Sequence, residues 1–411
     1  MITEFVMAFG IYGACKYIKE SGYKYKKDFR ELVEKVGLYN KEGQTLKVHK
    51  YEQLDYGYKL RVGIPFGISL DDIKALEDTF KTNLGAIGIE LEKDKKTSMM
   101  DITIITKPLD DIKYKPMDTK EGEILVGYSY KDYVKVDLNK FPHVLIGGDT
   151  GTGKSRLMLL ILTNLINKFK DIDIYLIQIR KSDLAVFKEC RQVKYMARSL
   201  NETRDILKHL DNICKERDKK LERYLSQGIY NIVDYNKRFN TRKMKYKYIV
   251  LDEFAFFNYS GADSKEEKQI KKEILGYIKN IVLTGRSTGM LVFTSLQKPT
   301  SSSIPTDIKS QLTTRISFKM LDKETSIVIL GNANATDLKE REAITRTLDE
   351  GVIKVPYIDH NLIIEHIKGS IEPHHKYITI PKEETTSNVI PPEEIGNNDG
   401  VIDLLKLLNA N

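Results

Sequence analysis

Residues 148–155, GDTGTGKS, fit the pattern G-x-x-x-x-G-K-[ST] in full and dictate the local fold around them. They follow a short apolar run, HVLIG (143–147), and open a helix-forming stretch, KSRLMLLILTNLINKF (154–169). A strand that turns sharply into a helix needs glycine where φ is positive, and it lines up N–H groups at the helix start. Such a loop cradles phosphate. Gly148, Asp149, Thr150, Gly151, Thr152 and Gly153 would wrap a β-phosphate, with Arg156 just beyond. Lys154 would reach the β- and γ-phosphates of ATP, and Ser155 would ligate Mg²⁺. Chance alone yields the string in roughly one chain of this length per hundred. The strand–loop–helix setting separates it from an ordinary glycine-rich junction.

Hydrolysis needs carboxylates on the metal and on water. YKYIVLDEFAFF (246–257) is an apolar strand that ends in Asp252 and Glu253. Asp252 would hold Mg²⁺, and Glu253 would orient and deprotonate the attacking water. Acidic residues often close a strand, so the pair gains meaning from standing downstream of a P-loop. MLVFTSLQKP (290–299) ends a further strand in Gln297, suited to sensing the γ-phosphate or placing the water. GRSTG (285–289) places Arg286 in a turn before that strand, where it could serve a neighbouring subunit's nucleotide as a finger. A solvated loop arginine is the competing reading.

Apolar, β-branched runs at 143–147, 174–179, 248–252, 290–295 and 315–320 alternate with helical stretches. Runs apolar on both faces, with helices between, predict an α/β motor over 116–380 built on a mostly parallel sheet. Ahead of it, 46–115 reads as a small α+β module. Alternation over 47–64 predicts two strands with a turn at Tyr56-Gly57, and 69–87 predicts a helix capped by Ser69. Two strands, IGIELE and MDITIIT, close it. Residues 1–45 read as helical and charged, and 381–411 as a tail ending in a short apolar helix (401–408). The stretch 5–18 is apolar but shorter than the roughly 20 residues of a membrane span. It reads as a packing helix or as an interfacial membrane contact.

Composition sets looser bounds. Lys+Arg 66 against Asp+Glu 58 leaves +8, which permits a polyanionic partner without requiring one. Three cysteines at irregular spacing give neither a disulfide framework nor a zinc set and imply a reducing cytosolic compartment. Hydrophobic residues at 41% exclude a wholly disordered chain. The densest basic stretch, Lys237 to Lys247, reads as a solvated connection ahead of the acidic strand.

Taken in order, these stretches resemble the FtsK/SpoIIIE/HerA branch of P-loop motors. VDLNKFPHVLIGGDTGTGKS (136–155) looks like the family's entry into its P-loop, and IYNIVDYNKRF (229–239) is similar to its segment before the acidic strand. IVLDEFA, GRSTGMLVFTSLQKP and TTRISFKM (313–320) resemble the strands that follow. The small module and single motor look most like coupling ATPases of conjugative plasmids and integrative elements. The resemblance implies a RecA-like domain and a homohexameric ring that hydrolyses ATP between subunits and moves double-stranded DNA through its pore. It implies cis roles for Lys154, Ser155, Asp252, Glu253 and Gln297, and a trans role for Arg286. Arg315 is a second interface candidate, with a structural role equally open. DNA contacts correspond to Lys298 and to Lys323, in the loop after the Thr-Arg-Ile strand. The family's further basic residue is replaced by Ile327. The family's acidic turn after the second strand is matched loosely by Arg180 to Asp183, with Gln178 in place of an acid.

A relaxase or conjugation-channel protein would be the partner, met in the cytoplasm or at the inner face of the cell membrane. The tail is too short for the winged-helix sequence reader of chromosome-segregating relatives. Two other functions stay open: a type VII-like protein-export ATPase, and a non-catalytic DNA-binding adaptor on a P-loop scaffold.

Overall fold

The computed structural model describes residues 23–300, 302–348 and 350–380. The expectations for 5–18 and 401–408 lie outside these residues. Among the described residues no helix is long and apolar enough to cross a membrane.

Residues 23–35 are helical (α1). The hairpin expected over 47–64 follows as β1 (Lys47–Leu54) and β2 (Gly57–Gly63), paired antiparallel. Glycine is required at 57, where a Cβ would sit 2.0 Å from the Ile104 carbonyl oxygen. The helix expected over 69–87 is divided at Ala75 and Leu76 into α2 (Leu70–Lys74) and α3 (Glu77–Asn83). Ser69 caps α2 reciprocally: its hydroxyl accepts the Asp72 N–H, and the Asp72 carboxylate accepts the Ser69 N–H. With β3 (Gly88–Lys93) and β4 (Met99–Ile105) the sheet order is β1-β2-β4-β3. Phe29 and Val33 of α1 join Leu60, Ile73, Phe80 and Ile102 in one core. Residues 23–35 therefore pack with the module from which the sequence reading divided them at 45/46. A single apolar sheet face needs more cover than the two short helices supply.

The larger sheet is built from β5 (Glu123–Tyr128), β6 (Tyr133–Asp137), β7 (Val144–Gly147), helix α4 (Lys154–Lys168), β8 (Asp173–Ile177) and β9 (Val193–Ala197). Then come α5 (Leu200–Glu222), α6 (Ile232–Arg238), β10 (Lys247–Leu251), α7 (Lys265–Thr288) and β11 (Met290–Leu296). The chain goes on through α8 (Thr306–Gln311), β12 (Thr314–Phe318), α9 (Lys323–Leu330), β13 (Glu342–Arg346), β14 (Glu350–Lys354) and α10 (His360–Ile367). The order is β6-β5-β14-β13-β12-β7-β11-β10-β8-β9. From β12 to β9 the strands run parallel. The fold is therefore the expected RecA-like P-loop α/β fold. Beyond β12 the strands pair antiparallel, an extension the apolar runs did not announce because β14 is mostly exposed and charged.

Strand β7 lies buried between β11 and β12, and every residue of α4 from Leu157 to Ile166 is buried. His143, just before β7, holds φ +60 and is fully buried. Its Nδ1 accepts the Val292 N–H of β11 at 3.0 Å, and its Nε2 donates to the Val282 carbonyl of α7 at 3.0 Å. These partners set the neutral Nε2–H tautomer, and burial pushes the imidazole down to about 4.

The basic side chains before β10 are exposed up to Lys245, as expected, though two of them carry ion pairs. Lys243 faces Glu121 at 3.8 Å and Lys245 faces Asp171 at 3.3 Å. Lys247 is buried in register with Asp173 of β8, bonded to its carboxylate and to the Tyr175 hydroxyl. Lys247→Ala would strand the buried Asp173 charge and should cost about 3 kcal/mol in urea unfolding, whereas Lys247→Met with Asp173→Leu should recover most of the loss.

Candidate active site

Parallel strands end at the same edge of a sheet, and the expected site residues follow β7, β10 and β11. In the phosphate loop Gly148, Gly151 and Gly153 take positive φ. Space as well as torsion demands glycine at two of them: a Cβ on Gly148 or Gly153 would lie 2.7 Å from the Phe318 side chain of β12. Thr152 Oγ1 donates to the Asp149 carbonyl at 2.7 Å and tightens the loop. Lys154 opens α4 and is buried, with Nζ donating to the carbonyls of Gly148 and, at 2.9 Å, Asp149. Ser155 and Arg156 are exposed beside it, and Arg156 reaches the Ile358 carbonyl at 3.4 Å.

Asp252 and Glu253 leave the end of β10. The Asp252 N–H donates to Ile177 O at 3.0 Å, and its own carbonyl accepts from Ser295, which pins the turn between β8 and β11. Burial raises the Asp252 carboxyl above its ordinary range, against a hydrogen bond from Ser182. Burial likewise pushes the Glu253 carboxyl up to about 7, opposed by the backbone N–H of Ala255, by Lys154 and by the backbone of Gln297. Lys154 is lowered by burial, and Glu253 and Asp149 oppose that shift. The loop lysine and the strand-end glutamate thus act on each other, so the fold brings these expected partners together. Gln297 belongs to the same constellation through its backbone, while its side chain is exposed.

Ser182 is the neighbour that sequence reading did not assign. It lies in the Arg180–Asp183 turn after β8, and Ser182 also caps the short helical turn Asp183–Phe187. Arg180 stacks over Phe256, 5.0 Å from the ring centroid, next to the Asp252–Glu253 turn. The only signal was position: the turn follows the strand beside β10.

Other expected residues lie apart. Arg286 is not in a turn. It occupies the last turn of α7, which runs unbroken until Gly289 ends it in the left-handed conformation. Its Nε donates to the Asn139 carbonyl at 2.8 Å, at the edge where β11 begins, away from the phosphate loop of its own chain. Arg315 donates to the carbonyls of Leu312, Lys309 and Ile329, each at 3.3 Å, which gives it a structural task within the chain. Lys298 is exposed after β11. Lys323 is exposed too, but it opens α9 rather than lying in a loop, because Asp322 supplies an extended N-cap position there. Ile327, one turn on, is half exposed.

These groups fit a magnesium nucleotide. The loop turns its backbone around an ammonium and leaves the Ser155 hydroxyl accessible, while Glu253 Oε2 is buried without a hydrogen-bond partner among the described residues. The titration of Glu253 has a consequence for stability. Its folded value of about 7 lies above the ordinary 4.5, so folding favours the protonated form. That contribution is full below pH 4.5 and is lost as pH rises through about 7. Glu253→Gln should therefore melt higher than wild type at pH 8, by on the order of 2 kcal/mol, and the gap should close as pH falls to 4.5.

A sequence model of the FtsK/SpoIIIE family matches residues 109–348. The chain is 24% identical over 260 residues to the DNA translocase FtsK of Campylobacter jejuni, covering 62% of this chain and 26% of that protein. It is 26% identical over 225 residues to the DNA translocase FtsK of Chlorobaculum tepidum, covering 52% and 27%. The match thus takes in well under half the length of either relative. Among solved structures, the fold is similar to the monomer form of the pCW3 conjugation coupling protein TcpA with ATPγS. The TM-score is 0.59 at 22% identity, over 83% of this chain and 99% of that one. It is also similar to the cytoplasmic domain of the type VII secretion ATPase EccC of Thermomonospora curvata, with TM-score 0.51 at 18% identity over 67% and 33%. These two likenesses concern the fold. A family model spanning more than half of the chain, over a phosphate loop, acidic strand and glutamine strand on one parallel sheet, places it plainly: the chain belongs to the FtsK/SpoIIIE family.

Proposed function

We propose that this chain is an ATP-driven translocase of double-stranded DNA, working as a homohexameric ring in conjugative transfer of a plasmid or integrative element. The observation that carries the hydrolytic part is that parallel β7, β11 and β10 end at one edge, which sets buried Lys154 and Glu253 within each other's electrostatic reach. Bound magnesium-ATP supplies the γ-phosphoryl group that water attacks. Lys154 would hold the β- and γ-phosphate oxygens, and Ser155 and Asp252 would hold the metal. The loop Gly148 to Gly153 would wrap the phosphates, with the N–H groups of Gly148, Thr150, Gly151 and Gly153 facing them while that of Asp149 stays on the Lys319 carbonyl, and Arg156 would flank them. Glu253, once deprotonated, would take the proton from water, and Gln297 would orient that water. A base near pH 7 is matched to its task.

The family, the curated translocases and the TcpA fold support DNA as the substrate, gripped by Lys298 and Lys323 at the edge where the phosphate loop lies. A few lysines per subunit, repeated around a ring, neutralise many backbone phosphates despite a modest net charge. A relaxase or channel protein at the inner face of the membrane is the partner this role requires. The fold of EccC favours one other reading, a protein-export ATPase of the type VII kind.

ATP turnover with and without long duplex DNA at low salt separates these readings. Duplex DNA should raise wild-type turnover several-fold, and Lys154→Ala should abolish it. Active turnover indifferent to DNA would sink the DNA motor and favour export; absent turnover would favour an adaptor. Arg286 lies at the edge opposite its own phosphate loop, so a catalytic part for it would be played on a neighbour. Mixing Arg286→Ala with wild type should depress activity faster than dilution; strictly additive activity would remove the trans role.

A further inference from the structure

Asp149 differs from the rest of the phosphate loop in sending its side chain out of it. One carboxylate oxygen accepts the backbone N–H of Leu321 at 2.7 Å, while the Asp149 N–H donates to the Lys319 carbonyl at 3.1 Å. Both partners belong to the corner between β12 and α9, two to four residues before Lys323. The same corner is pressed against the loop, since Phe318 leaves no room for a Cβ on Gly148 or Gly153. Leu321 itself is 77% exposed, while its neighbour Met320 is fully buried with its N–H on the Ala335 carbonyl. The bond to Asp149 ties this anchored corner to the phosphate loop.

The other end of Asp149 meets the nucleotide machinery. Its carbonyl accepts from Lys154 Nζ and from Thr152 Oγ1. A lysine drawn to a phosphate leaves that carbonyl to Thr152 alone, which loosens one end of a residue whose other end grips the corner. From these contacts we infer that Asp149 is a positioning residue: its carboxylate latches the phosphate loop to the β12–α9 corner. Nucleotide at the loop and DNA at Lys323 thereby bias each other. The inference rests on the reading of Lys323 as a DNA contact. Linkage makes the effect reciprocal, so nucleotide changes DNA affinity by the factor with which DNA changes nucleotide affinity. A hydrogen bond worth about 1.4 kcal/mol, charged or neutral, can shift such an equilibrium by roughly tenfold.

Two ratios, each internal to one variant, test the latch. One is turnover with duplex DNA over turnover without it; the other is duplex affinity with ATPγS over affinity without it. Leu321→Ala keeps the N–H and Asp149→Asn keeps an acceptor oxygen, so both should preserve the ratios. Leu321→Pro removes the donor and Asp149→Ala the acceptor, and each should cut the ratios by roughly tenfold or bring them to one. The bond is broken from either side, so a proline variant that fails to melt cooperatively leaves Asp149→Ala to decide. If wild type responds to DNA and Lys323→Ala weakens the response, but Asp149→Ala keeps full ratios, the latch alone is wrong. Loss of the ratios in Leu321→Ala or Asp149→Asn would also refute it, because the bond survives in both. A wild type indifferent to DNA would overturn the functional reading and the latch with it.

Discussion

The whole arrangement depends on one close approach, the phosphate loop lying against Phe318 at the end of β12. Strand β7 is bonded on both sides, to β11 and β12, so it cannot shift to relieve that contact. Only a backbone without Cβ passes there, and this gives Gly148 and Gly153 a packing duty beside their torsional one. The parallel register then carries the ends of β10, β11 and β12 to the same edge. Strand order decides which side chains meet: β10 lies one strand away from β7, with β11 between them.

Burial at that edge has an electrostatic result. An ammonium and a carboxyl are both withdrawn from water, and desolvation pushes each towards its neutral form. Their mutual attraction opposes the push without cancelling it, so Glu253 stays near neutrality. Asp252 differs through Ser182, whose hydrogen bond favours the ionised form and opposes the upward push of burial. Adjacent carboxylates on one strand end are in this way given unequal environments, which suits unequal tasks.

The opposite edge is built for rigidity. His143 ties the entry of β7 to α7 and β11, and Arg217 of α5 donates to the Thr288 and Lys245 carbonyls at 2.8 and 2.9 Å. Cys214 of α5 lies 3.0 Å from the Thr284 hydroxyl. The last turn of α7, which carries Arg286, is therefore held from several sides.

Much of this was legible in the residues themselves. GDTGTGKS after HVLIG determined a strand, a phosphate loop and a helix, because few other backbones tolerate that glycine spacing. IVLDEF determined a buried strand ending in acid, and apolar runs on both faces determined a parallel sheet. What the tertiary structure decided was every relation between distant segments. Whether Arg286 stood in a turn or a helix depended on α7 running unbroken from Lys265 to Thr288 before Gly289 ends it. The structural work of Arg315 became clear only when three carbonyls converged on it. As letters, Ser182 is only part of a loosely matched turn and Asp149 only one residue of the phosphate loop, since a serine in a turn and an aspartate in a loop are commonplace. Their meaning comes from what stands opposite, a carboxyl in one case and the Leu321 amide in the other. Local spacing encodes local backbone, whereas such pairings arise from strand order and close packing, which no single segment contains.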